Sequence, residues 1–146
     1  MSFHDLPADW PNRPVTDPDL FTDVIDLCVS ERDRATGALY ALLCDVDGHL
    51  VQPIAVPAGR RVRHPGDDED RLALLDPFAA VLASQAPAGG LVVALARRGP
   101  AEATPADRLW HESARQVCRR HEVRLLATAV ASPGGIFRLT DAFGAP

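Results

Sequence analysis

The side chains best suited to bind a metal lie in the C-terminal half of the chain. Cys118 and His121 are three residues apart, and His111 precedes them. On a helix an i, i+3 pair faces the same way. A zinc site built on that pair would still need a ligand from elsewhere, such as His49 or His64. Zinc signatures normally pair two ligand clusters, and only one occurs here. The expectation is therefore a core cysteine beside surface histidines. A second constellation is ionic. Arg97-Arg98-Gly99-Pro100 stands just before Thr104-Pro105-Ala106-Asp107. The latter reads as a helix start, where orphan N–H groups and the helix dipole attract anions. Arg97, Arg98, Thr104, Asp107 and His111 are the candidate ligand-binding residues, with Asp107 opposing an anion. The same segment also reads as a plain capped helix. Asp45-Val46-Asp47-Gly48 resembles the opening of a calcium loop, but no glutamate stands at its twelfth position, so a turn is expected.

Other chemistries lack their residues. All 15 basic residues are arginine. Without lysine there is no Walker A phosphate loop, no Schiff base and no Ser-x-x-Lys pair. Ser113 shares one helix with His111 and Glu112 and cannot form a triad with them. Neither a Gly-x-Ser-x-Gly elbow nor the zinc-deaminase signature occurs. Gly89-Gly90 precedes its strand, whereas a phosphate loop follows one.

Three capping residues before proline, Asp17-Pro18, Asp76-Pro77 and Thr104-Pro105, suggest helix starts. The first helix is predicted over 18–30, with Leu20, Phe21, Val24, Ile25 and Cys28 forming its apolar stripe and Asp19, Asp23 and Asp26 off it. Strands are predicted over 37–45 and 50–56, joined by a turn at Asp47-Gly48. Pro53 marks the second as an edge strand or a bulge. A loop over 57–70 runs from Arg60, Arg61, Arg63 and His64 to Asp67, Asp68, Glu69 and Asp70. A helix over 69–86 follows, with Pro77 either kinking it or marking its true start. The run Leu91 to Ala96 is unbroken by polar residues and reads as a central strand buried on both faces. A helix over 105–121, a strand over 123–131, a turn at Ser132 to Gly135 and a short strand over 136–139 complete the chain. The predicted fold is α/β, a three-layer sandwich with a mixed sheet in the order α-β-β-α-β-α-β-β. Residues 1–16 are expected to form an irregular arm anchored by Phe3 and Trp10, 17–140 a single domain, and 141–146 a tail.

The composition fits one globular domain. The chain has 146 residues, 47% hydrophobic and 24% charged, with a net charge of -5; wholesale disorder is not expected. The first 50 residues hold ten acids and three arginines, and the remainder ten acids and twelve arginines. That balance argues against nucleic acid wrapping the surface. Arg108, Glu112, Arg115 and Arg119 read as a solvated helix face. Three scattered cysteines are expected to be buried and reduced. No apolar run approaches the roughly 20 residues of a membrane span, and the N-terminus lacks a signal-peptide pattern. A cytoplasmic location is expected.

The element order, with a loop after the central strand and a capped helix next, resembles the JAB/MPN metalloprotease-like family, its RadC-type branch above all. There the central strand ends in His-x-His, and Ser-x-x-Asp, whose Asp is the third metal ligand, follows a seven-residue gap. Here Ala94-Leu95-Ala96 occupies the first motif and, after residues 97–103, Thr104-Pro105-Ala106-Asp107 the second. Val123 to Gly135 is similar to the family's next strand, Glu31 is a candidate for its upstream glutamate, and the similarity spans about 18–140. The chain departs from the family where chemistry matters. Catalytic zinc needs three protein ligands and a water, and alanine supplies none. The resemblance implies a metal-free, cofactor-free relative that is not a peptidase. It would bind a protein partner or itself, through the sheet edge or the surface from Arg97 to Asp107. The alternative is a small enzyme or sensor holding an anionic ligand at that surface.

Overall fold

The computed structural model describes residues 6–57 and 67–139. Phe3, the arginines and His64 of the 57–70 loop, and the tail lie outside them. Within them, a 3-10 turn (Trp10–Asn12) precedes α1 (Phe21–Cys28), α2 (Glu31–Thr36), β1 (Ala38–Cys44), β2 (Leu50–Pro57), α3 (Asp68–Ala83), β3 (Gly90–Ala96), α4 (Pro105–Arg120), β4 (Arg124–Ser132) and β5 (Gly135–Arg138). The fold is mixed α/β. Its five strands form one sheet in the order β2-β1-β3-β4-β5. β3 and β4 are parallel, and the other neighbours are antiparallel.

Three predicted helix starts resolve differently. The helix expected over 18–30 forms over the shorter span Phe21–Cys28, and α2, which was not expected, follows over Glu31–Thr36. Ser30 ends the first by capping the second, its hydroxyl accepting the Asp33 N–H at 3.1 Å. Asp17 caps only the turn before α1, accepting the Asp19 N–H. Asp23 is buried although it lies off the stripe; it sits in the first turn of α1, where the dipole favours a carboxylate. α3 starts at Asp68, capped by Asp67, so Asp76-Pro77 is not a helix start and Pro77 lies inside the helix. Its missing N–H leaves the Ala73 carbonyl without a helical partner. Both residues are exposed, so water can take that bond.

Side chains alternate along each strand, and two apolar clusters result. Ala38, Tyr40, Leu42, Val92, Ala94, Ala96, Ala129 and Ala131 pack with Leu20, Val24 and Ile25 around α1. The alanines keep that face low, which lets α1 sit close. Leu39, Ala41, Leu91, Val93, Leu95 and Val130 pack with Leu75, Leu82, Trp110 and Val117 of α3 and α4. Arg71, buried on α3, donates to Ser113 of α4 at 3.2 Å and pairs with Asp68. Gly48 turns the β1–β2 hairpin at φ +85, and its carbonyl accepts the Val15 N–H at 2.9 Å, which ties the preceding segment down. Trp10 packs against the α1-side cluster.

β2 is an edge strand, one of the two outcomes that Pro53 suggested. Pro53 and Pro57 are four residues apart and so project their backbone nitrogens to the same side. Neither has an N–H, so an incoming strand would find two donors missing. No helix among the described residues is long and apolar enough to cross a membrane.

Candidate ligand-binding cavity

β3 ends at Ala96, and the chain turns through 97–103 before α4 begins. That loop is organised by one side chain. Arg97 donates from Nε to Asp107 Oδ1 at 2.8 Å and from Nη2 to Asp107 Oδ2 at 2.7 Å. Its remaining N–H groups go to the carbonyls of Arg98 (2.9 Å), Pro100 (3.2 Å) and Glu102 (2.9 Å). A guanidinium has five N–H donors, and all are used. Asp107 is 2% exposed. It accepts both Arg97 bonds and the Thr104 N–H at 3.0 Å, while Thr104 Oγ1 accepts the Asp107 N–H at 3.1 Å. That exchange is a capping box. Burial alone would raise the Asp107 pKa; hydrogen bonds from Arg97 and the Thr104 N–H outweigh it, and the pKa falls below its ordinary value.

Beside this ion pair lies a cavity of about 520 Å³. Its walls come from the end of α2, the start of β1, the end of β3 and the first turns of α4. Arg97, Arg98 and Asp107 all line it. Thr104 does not; it holds α4 in place from outside the lining. His111 does not either. It points toward the β4 side, where Nδ1 lies 2.7 Å from Thr128 Oγ1. The five candidates therefore divide into three lining residues, one cap and one residue belonging to another part of the molecule. Arg97 is also unavailable to an anion, because its donors are spent.

Trp110 and the Ala35 to Ala38 junction line the cavity and were not among the candidates. Trp110 was within reach of sequence reasoning, since it is three residues after Asp107 on one helix face. The α2–β1 junction carried no signal, because only the pairing of β1 with β3 brings it near.

Among the described residues, Cys118, His121 and His111 do not converge on a metal site. Cys118 is buried in the core, and burial raises its thiol pKa to about 11. His121 Nε2 lies 2.8 Å from Asp76 of α3. His64 is outside the described residues. Glu31 is exposed at the opposite end of α2 from the cavity. Asp45, Asp47 and His49 bring three donor atoms within 4.8 Å of one another. Asp45 already accepts the N–H groups of Asp47 and His49 at 3.0 and 2.9 Å, which is the bonding of a turn. Around Asp107, Ala94 and Ala96 carry no donor atoms and Arg97 occupies both carboxylate oxygens. A zinc ion does not fit that set. No protein-family model, no curated protein and no solved structure matches this chain.

Proposed function

We propose that this chain is a non-catalytic, cytoplasmic relative of the JAB/MPN family, a three-layer α/β sandwich that acts as a protein-interaction or regulatory module. Helix packing on both faces of the sheet supports the fold assignment. One observation carries the functional reading: the Arg97 guanidinium sits on the carboxylate that would hold the third metal bond. A fixed positive charge has taken the place of the cation. Among the described residues, no nucleophile paired with a free base lines the cavity, which favours binding over turnover. Self-association or partner binding is assigned to the Arg97 to Asp107 end and not to the β2 edge, where Pro53 and Pro57 withhold donors.

The test is elemental mass spectrometry of the purified, untagged protein, together with its sedimentation behaviour. Absence of stoichiometric zinc, in protein handled without chelators, is the expected result. Near-stoichiometric zinc that survives dialysis overturns the reading. A second reading, a small-molecule sensor, is favoured by the size of the cavity itself.

A further inference from the structure

We propose that the cavity at the end of β3 binds a small monocarboxylate with an apolar body. The inference rests on the metal-free reading above, since it needs Asp107 to stay paired with Arg97. Volume comes first: about 520 Å³ lies within the roughly 300–1,000 Å³ typical of small-molecule sites. The walls come next. Ala38, Ala96 and Ala106 are small and leave the space open, while Leu95 and Trp110 supply apolar surface. Trp110 is 6% exposed, so the apolar surface it adds to the wall is largely shielded from solvent.

Charge decides the head group. Arg97 and Asp107 cancel. Arg98 is exposed, and its guanidinium has no partner among the described residues. The lining therefore carries one uncompensated positive charge, from Arg98. A single carboxylate matches it, with the bidentate geometry that arginine favours. A phosphate dianion or a nucleotide polyphosphate would bring surplus negative charge beside the buried Asp107 carboxylate. The position also suits a ligand, because open α/β sheets bind ligands beyond the carboxyl ends of their parallel strands.

The experiment is a fluorescence titration of the full chain carrying Trp10→Phe, so that Trp110 is the reporter. Octanoate and 3-phenylpropionate are the probes, with octanol and inorganic phosphate as controls. Saturable change with a Kd below about 1 mM is expected for at least one carboxylate. Arg98→Ala should weaken it about tenfold or more, through loss of its charge-assisted hydrogen bonds to the carboxylate. Ala106→Leu should block the cavity. Both residues are exposed, so unfolding midpoints should stay near that of the parent, which separates lost binding from lost folding. No saturable response to either carboxylate, equal affinity for octanol, preference for phosphate, or affinity unchanged in both variants overturns the proposal. Zinc content is measured on the same preparation: a zinc-free protein that ignores carboxylates sinks this inference alone, and a zinc-loaded one sinks the functional reading beneath it.

Discussion

Arg97 is the residue on which the loop after β3 depends. Replacing it with alanine leaves Asp107, 2% exposed, without its counter-charge. Removing one partner of a buried pair costs about 3–5 kcal/mol. Arg97 retains 21% exposure, so Arg97→Ala is expected to lose about 3 kcal/mol in urea unfolding, near the low end of that range. The pH dependence follows from the same pair. The folded pKa of Asp107 is depressed, so its contribution is fully present above the unfolded value of about 3.9 and is lost as pH falls through the lower folded value. The stability gap between the parent and Asp107→Asn should therefore hold from neutral pH to about pH 4 and close below it. A gap that closes near pH 6 would mean Asp107 is not held ionised by Arg97.

At the element scale, α4 and β2 make separate demands. Thr104 Oγ1 satisfies the Asp107 N–H, and the reciprocal bond closes the box. Thr104→Ala is expected to cost about 1 kcal/mol, as for other N-cap losses, readable as a lowered urea midpoint with an unchanged slope. Its cost should not add to that of Arg97→Ala, because both act on Asp107. β2 is guarded by Pro53 and Pro57. The double change Pro53→Val, Pro57→Val restores two N–H groups on an open edge. Concentration-dependent association on a sizing column should then appear in the variant and exceed that of the parent. A variant that elutes as the parent does at every concentration would show that the prolines do not guard this edge. The helix boundaries teach a related lesson. Asp76-Pro77 and Thr104-Pro105 are the same signal in sequence, yet only the second starts a helix. Asp67 caps α3 nine residues earlier, and Leu75, Ala79 and Leu82 carry the helix past the proline by packing on the sheet. Burial of that stripe outweighs the one backbone bond that Pro77 removes.

At the scale of the whole molecule, the three thiols report on integrity. Burial raises the pKa of Cys28 to about 11, and that of Cys118 likewise to about 11. Cys44 rises to about 12, through burial first and then the nearby Asp45 and Cys28 charges. Cys44 and Cys118 belong to the clusters on opposite faces of the sheet, so exposing both requires the sheet to part from its helices. In a thiol-reactive dye assay at pH 8 the native protein should label slowly, and three equivalents should react at once in denaturant. Rapid native labelling of Cys44 or Cys118 would mean that the faces open without global unfolding.

The sequence by itself determined most of the elements and the mixed α/β class, because alternation, helical period, capping residues and glycine turns are local and need only neighbouring residues. It also placed Arg97, Arg98 and Asp107 close together, since a short loop leaves a strand end and the next helix start little freedom to separate. Tertiary structure decided the rest. It turned Arg97 from an anion-binding candidate into a saturated partner of Asp107, because donor satisfaction depends on where carbonyls fall in space. It sent His111 to Thr128, because β4 packs under that side of α4. It brought the end of α2 to the cavity through the pairing of β1 with β3, a contact between residues more than fifty positions apart in the chain. Such non-local contacts leave no periodic trace in a sequence, and the walls of this cavity are made of them.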